Sequence, residues 1–273
     1  MAMEKSDAEE GEEIRVIVRD RYGKIAREGD CFEEKGSCCR PAGGGGAESL
    51  SEVLGYSAEE LKQLPEGADL GLGCGAPLLA AKIEKGMTVL DLGSGAGIDV
   101  FLAARLVGEA GFAIGVDMTP EMVVRARKSA RDNGIKNAEF RLGEIEHLPV
   151  ADSSVDLVIS NCVVNLSPEK EKVFAEAYRV LRPGGQMVLS DIVARYAFPD
   201  KIRGDIDLYC GCMAGAQTAH ALEAMMQKAG FEGGRIDPRE KVRRAIDSWA
   251  PCEEISDRIY SALISAKKPD KSL

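Results

Sequence analysis

The 273-residue sequence predicts an α/β protein built on a doubly wound, mostly parallel sheet with an antiparallel closing strand. From Met87 to Val193, apolar runs of strand length alternate with amphipathic runs of helix length, the rhythm that right-handed crossovers impose. Within that region "VLDLGSGAGID" joins an apolar run to a helix through a glycine turn, the usual form of a ligand-binding strand end. Hydrophobic content of 45% and charged content of 29% suit a globular chain able to bury such a sheet.

The elements follow in order. "MAMEKSDAEEGEE" is acidic and reads as a frayed tail over residues 1–11. Residues 12–28, "EEIRVIVRDRYGKIARE", carry helical apolar spacing. "GDCFEEKGSCCRPAGGGGAES" reads as a mobile loop with three cysteines and four consecutive glycines. "SAEELKQL" opens on Ser57 with Glu60 three residues on, a capping box and hence a short helix. "EGADLGLGCGAP" is loop, and "PLLAAKIEKG" is expected as a helix opened by Pro77 and closed by Gly86.

Five strands are expected next, in "MTVLDLG", "FAIGVDM", "AEFRLG", "VDLVISNCVV" and "QMVLSDIV". Between them lie helices in "IDVFLAARLVG", in "TPEMVVRARKSARDNG" with Pro120 at its first position, and in "PEKEKVFAEAYRVLRPGG". Residues 199–230 look helical with a break at "YCGCMAGAQ", and "RIYSALISAKKP" supplies the closing strand. The expected organisation is a tail (1–11), an N-terminal helix with cysteine-bearing loops (12–84), a ligand-binding core (85–194), and a C-terminal helical cap with the closing strand (195–273).

Net charge is −10, which speaks against a broad nucleic-acid footprint. No run reaches bilayer length and no secretory leader is read, so a cytoplasmic protein acting away from membranes is expected. Eight cysteines, at 31, 38, 39, 74, 162, 210, 212 and 252, stand against only two histidines, His147 and His220. In a reducing compartment that excess points to soft-ion or redox chemistry rather than a disulfide framework. Cys74 sits among glycines in "DLGLGCGAP", which suggests an exposed thiol with a task. Cys162 ends the fourth strand, where ligands of open α/β sheets bind, and Cys210 and Cys212 lie in the helical break. Three separate segments thus offer sulfur toward one mouth.

The glycine turn pairs Asp91 at the strand end with Gly93, Gly95 and Gly97, and Asp117 closes the next strand twenty residues beyond Gly97, suiting a ribose. A leading carboxylate would repel a pyrophosphate and suits a cationic ligand terminus. "DLGSGAG", "GVDMTPEM" and "VLRPGG" together resemble class I methyltransferases, with their Rossmann-like sheet, over residues 85–194. That resemblance implies S-adenosylmethionine as cofactor. It places Asp91, Gly93, Ser94, Gly95 and Gly97 on the methionine and ribose side, Asp117 and Met118 at the ribose and adenine, and Ile145 and Glu146 at the adenine. Asn161 joins the same set, while His147 is read as a surface neighbour.

"PEGADLGLGCGAP", "SNCVVNLSPEK" and "CMAGA", with "RDRYGKIA" and the "GSCC" loop, resemble arsenite methyltransferases from about residue 12 onward. The resemblance implies that Cys74, Cys162 and Cys212 hold As(III), with Cys39 or Cys38 as a fourth, redox-active thiol. It implies arsenite and methylarsenite as substrates, a role in arsenical detoxification, and a reducing thiol system of thioredoxin or glutathione type as partner to a monomer. Ala76 stands where that family usually has asparagine, which puts a side-chain hydrogen bond ordering the Cys74 loop in doubt. The chemistry agrees with the inventory: trivalent arsenic is soft, favours thiolates, and keeps a lone pair that needs no general base. Two alternatives stay open, a class I methyltransferase for a small organic acceptor and a thiol protein that sequesters arsenic or zinc without turnover.

Overall fold

The computed structural model describes residues 7–28, 50–240 and 253–270. Cys31, Cys38, Cys39, Cys252, Trp249 and the glycine run 43–46 lie outside the described residues.

Seven strands form one sheet: β1 (Thr88–Leu92), β2 (Phe112–Asp117), β3 (Ala138–Leu142), β4 (Val155–Asn161), β5 (Leu181–Ala194), β6 (Glu232–Pro238) and β7 (Ile259–Lys267). Their order is β3-β2-β1-β4-β5-β7-β6. The first five pair in parallel, as the alternating pattern requires. β7 then runs antiparallel to β5, with Ser190 opposite Leu263, and β6 antiparallel to β7. Two antiparallel strands therefore stand where one was expected. β6 escapes a reading by pattern because it holds Gly233, Gly234 and Pro238, which disfavour strand interiors; an edge position tolerates them.

Alternation along the central strands fills two cores. Leu90, Leu92, Val158 and Leu189 face α6 (Lys170–Val180) and α9 (Ala219–Ala229), whose Val173, Phe174, Leu222 and Met226 meet them. Val89, Leu157, Ile159 and Val188 face the opposite way, toward α4 (Ile98–Val107) and α5 (Pro120–Asp132). Both faces are covered, which is what doubly wound means.

Other expectations meet the structure with differences. The N-terminal helix α1 starts at Asp7, inside the stretch expected to be tail, and runs to Glu28. α2 (Leu50–Leu54) and α3 (Ala58–Lys62) follow, α3 with the full capping box between Ser57 and Glu60. "PLLAAKIEKG" makes only one 3-10 turn, Pro77–Leu79, because Ala76 offers no capping oxygen. β4 stops at Asn161, since Cys162 adopts φ 61° and cannot continue a strand; a second 3-10 turn, Val164–Leu166, follows. The C-terminal cap begins with α7 (Asp200–Arg203) and α8 (Ile206–Cys210), and the break falls between α8 and α9.

Candidate active site

At the carboxyl ends of β1, β2 and β4 lies a cavity of about 1020 Å³, its open mouth included. Of the residues assigned to the cofactor, Asp91, Gly93, Ser94, Gly95, Asp117, Met118, Ile145, Glu146 and Asn161 line it. Gly97 does not. It caps α4 at φ 102°, and a Cβ there would sit 2.8 Å from Phe101 and Phe140, so its place is in the packing under the loop. Asp117 accepts from the Gly95 and Thr119 N–H groups at 2.8 Å, one on each oxygen, which fixes the glycine turn. Each oxygen keeps an acceptor site for a ligand hydroxyl.

Three carboxylates line this cavity without a lysine or arginine bound to any of them. Burial, with the negative charges of Asp99 and Asp117, pushes Asp91 well above the usual carboxylate range. Burial pushes Asp99 up to about 6, against the hydrogen bond it accepts from Tyr56 at 2.6 Å. Asp117 is raised too, chiefly by burial. Such a cavity selects a positively charged guest. The Ser94 hydroxyl is buried there with no hydrogen-bond partner, so a polar one fits. Both features suit S-adenosylmethionine, whose amino group and sulfonium are cationic.

Across the cavity, α1 supplies Arg15. It is buried and ion-paired to Glu169 at 2.5 Å and to Glu146 at 3.5 Å. Glu146 also accepts from the Ser167 hydroxyl at 2.5 Å. Farther along α1, Tyr22 donates to the Cys210 carbonyl at 3.3 Å and Arg21 pairs with Asp207 at 2.8 Å. α1 therefore spans the cavity from the core to the C-terminal cap.

The sulfur side begins where the cavity ends. Cys162 lines the cavity; its sulfur lies within 4.8 Å of the Cys74 sulfur, and the Cys212 thiol reaches its carbonyl. Cys162 and Cys212 are two of three non-glycine residues with positive φ among those described, at 61° and 62°. Left-handed backbone of this kind costs about 1–3 kcal/mol and persists where neighbours over-determine it. Here the Cys212 thiol donates to the Cys162 carbonyl at 2.8 Å, the Cys162 N–H donates to Ser190, and Asn165 donates to the Cys212 carbonyl.

Cys74 is fully buried, against the expectation of an exposed thiol. Its glycines serve close approach instead. A Cβ at Gly75 would lie 2.0 Å from the Ser190 hydroxyl, and one at Gly73 would lie 2.9 Å from the Asn161 amide. The loop thus lies flat on the ends of β4 and β5. Asn161 clamps it like a peptide group, accepting from Cys74 N–H at 3.0 Å and donating to the Gly75 carbonyl at 2.6 Å. The ordering amide questioned at Ala76 comes from Asn161. Burial pushes the Cys74 thiol up to about 11 and Cys162 well above the usual thiol range.

A scan against protein-family models matches a methyltransferase domain over residues 83–230. The chain is 51% identical to an arsenite methyltransferase of Halobacterium salinarum over 94% of this chain and 67% of that protein. It is 37% identical to one from Aquipseudomonas alcaligenes, over 93% and 72%. The chain belongs to the arsenite methyltransferase family. Among solved structures, an arsenic(III) S-adenosylmethionine methyltransferase from Chlamydomonas reinhardtii aligns with TM-score 0.60 and 33% identity, over 83% of this chain and 75% of that one.

As an arsenite methyltransferase family member the chain has the class I Rossmann-like fold and an S-adenosylmethionine dependence. Several residues of its site escape a reading of motifs. Asp191 places a carboxylate oxygen within 4.8 Å of the Cys74 and Cys162 sulfurs. Burial raises it to about 7, and Asn165 and the backbone N–H of Ile192 donate to it at 2.8 Å. Lys170, buried beside Asn165 and lowered to about 8 by burial, donates to the Asn165 and Ser167 carbonyls. Two signals were available: an acid inside the apolar run "VLSDIV", and an arginine on the buried stripe Gly11, Arg15, Val18, Tyr22 of α1. Cys210 is buried, its thiol raised by burial, and stands beside α1 rather than in the thiol chain. His147 and His220 are exposed.

Proposed function

We propose that the chain methylates trivalent arsenic, as arsenite and methylarsenite, with Cys74, Cys162 and Cys212 as the thiols that hold it. The observation that carries this reading is the gathering of three cysteines from three distant segments around Cys162, which lines the carboxylate-rich cavity: the Cys74 sulfur lies within 4.8 Å of its sulfur and the Cys212 thiol donates to its carbonyl.

Arsenite is neutral at physiological pH, and so are thiols whose ionisation burial has pushed upward. Each thiol that binds gives its proton to a hydroxide on arsenic, which departs as water. The thiols therefore bring no charge change on loading, and their raised ionisation keeps them neutral while the site is empty. Three sulfurs hold arsenic as a pyramid with its lone pair directed away from them.

S-adenosylmethionine supplies an electrophilic methyl group on a positively charged sulfur. Asp91 and Asp99 suit its cationic parts, Asp117 its ribose hydroxyls, and Met118, Ile145 and Glu146 its adenine. The protein's contribution is to bring the arsenic lone pair in line with that carbon and to exclude water. Cys162, shared by cavity and thiol chain, sets that alignment. Methylation carries arsenic to the pentavalent state, so two electrons must return before another round. Cys74 with Cys38 or Cys39 supplies them as a disulfide, which a cellular thiol system of thioredoxin or glutathione type reduces. Trapping turnover with a thiol blocker tests this step; no disulfide involving Cys74 would sink it. The working context we infer is a cytoplasmic monomer. No described helix is long and apolar enough to cross a membrane.

The deciding experiment incubates purified protein with arsenite, S-adenosylmethionine and a thiol, then separates arsenic species. Methylated arsenic is expected. Tight arsenic binding without turnover would make it a sequestering protein, and neither result would leave an organic acceptor.

A further inference from the structure

Behind the thiols stands a charge with no part in the scheme above. Asp191 is 2% exposed and points a carboxylate oxygen at Cys74 and Cys162, the three donor atoms lying within 4.8 Å of one another. Every contact that holds it is a donor. Asn165 contributes its side-chain amide at 2.8 Å and its backbone N–H at 3.3 Å, and the Ile192 N–H adds another at 2.8 Å. These donors and the buried Lys170 cation favour its ionised form against the burial that raises it. The same Asn165 amide reaches the Ile192 and Cys212 carbonyls, so the group that fixes Asp191 also fixes a thiol segment.

Binding does not explain this anion. Neutral arsenite condensing with neutral thiols brings no positive charge for it to meet. Charge appears only in the transfer step. The arsenic lone pair becomes the As–C bond, the electrons of the broken C–S bond stay on the donor sulfur, no proton moves, and one unit of positive charge passes to arsenic. We propose that Asp191 is a catalytic residue of this reaction, its fixed carboxylate stabilising the positive charge that arsenic acquires as it takes the methyl group. An arsenic atom bonded to Cys74 and Cys162 lies in the cluster that Asp191 completes. A preorganised dipole or charge aimed at charge that develops in the transition state is worth on the order of 10²–10³ in rate. This inference rests on the arsenic reading above and adds the group that makes the chemical step fast.

The test separates chemistry from binding. Wild type and Asp191→Asn are loaded with arsenite, mixed with saturating S-adenosylmethionine, and followed for a single turnover by separating arsenic species. Arsenite stoichiometry and melting temperature are recorded for each. The expected result is a drop of about 10²-fold in the single-turnover rate, with arsenite stoichiometry unchanged. Asp191→Glu, which keeps the charge and alters the shape, should retain more rate than the isosteric amide. A purely structural role predicts the reverse order. Should Asp191→Asn not fold, Asp191→Ser, whose hydroxyl still accepts from Asn165, carries the same comparison with Asp191→Glu. Asparagine or serine variants that methylate within about threefold of wild type, or a rate loss that follows lost arsenite binding, would overturn the proposal. Wild type that forms no methylated arsenic would instead sink the reading on which it rests.

Discussion

The cavity and the thiol cluster meet at Asn161 and Cys162 and are built in opposite ways. The cavity takes its glycine turn and Asp91 and Asp99 from one stretch of nine residues, with Asp117 at the end of the neighbouring strand. It is lined by carboxylates, of which Asp91, Asp99 and Asp117 meet no lysine or arginine, and the buried Ser94 hydroxyl there has no partner, as befits a place completed by a ligand. The thiol cluster draws on the 73–75 loop, the end of β4, the middle of β5 and the turn after α8. It is fully packed, and its polar groups are satisfied by one another. A cavity of the first kind binds by electrostatic complementarity with little rearrangement. A cluster of the second kind must part its own hydrogen bonds to admit a guest, so its selectivity lies in what can replace them.

The largest test of this division is Cys162→Ser, since Cys162 is the one proposed arsenic ligand that also lines the cavity. Serine oxygen is a hard ligand for a soft metalloid, so methylation of arsenite and methylarsenite alike should fall by about 10²-fold or more, read by arsenic speciation. Cys74→Ser should strike arsenite hardest, because methylarsenite needs only two sulfurs. Equal losses on both substrates would place Cys74 outside that division of labour.

Asn161→Ala breaks the seam from the other direction. It leaves the Cys74 N–H and the Gly75 carbonyl without their partner, at about 1–3 kcal/mol for each buried group. Because the amide orients a ligand-bearing loop, arsenite turnover should drop about 10-fold or more, with a lower melting temperature. A variant that loses S-adenosylmethionine affinity while keeping arsenite affinity would assign Asn161 to the cavity instead. Arg15→Met probes the cavity alone. Freed from Arg15, Glu146 keeps only its Ser167 hydrogen bond, and KM for S-adenosylmethionine should rise about fivefold, near 1 kcal/mol, with the arsenite KM unmoved. Matching changes in both would show that α1 serves the two regions together.

How much each region shows in the sequence follows from its construction. The glycine turn, Asp117 and the five parallel strands are local patterns with local causes, so they are legible residue by residue. That Cys74 and Cys212 come up against Cys162 is legible only by placing each on a predicted strand end or loop. That Cys74 is buried is not legible, because glycine signals close approach without saying whether a ligand or the protein itself approaches. Here it is Ser190 and Asn161. Asp191 and Asn165 are hidden for a related reason: each looks like a lone polar residue in an apolar run until β5 sets them against each other. The edge strand β6 hides behind Gly233, Gly234 and Pro238.

The smallest expected effect is a slope of stability against pH, alkaline for the Cys74 thiol and acid for the cavity's Asp99. Cys74 ionises near 9 when exposed and near 11 in the fold, because burial disfavours the thiolate. Between those values the unfolded chain has lost a proton that the folded chain keeps, so this group lowers stability as pH rises from about 9 to about 11. Asp99 behaves likewise at the other end: its carboxyl moves from 3.8 to about 6 on folding, so its contribution to stability falls as pH rises from about 4 to about 6. A cation bound in the cavity favours the ionised carboxylate and should flatten that acid slope without touching the alkaline one. Urea melts under reducing conditions, at pH 4.5, 7.5 and 10 with and without S-adenosylmethionine, read both. Cys74→Ser should lose less stability than wild type between pH 7.5 and 10 and match it below. Parallel curves at alkaline pH would mean that the Cys74 loop lifts from Ser190 in solution, and the packed character of the thiol side would fall with it.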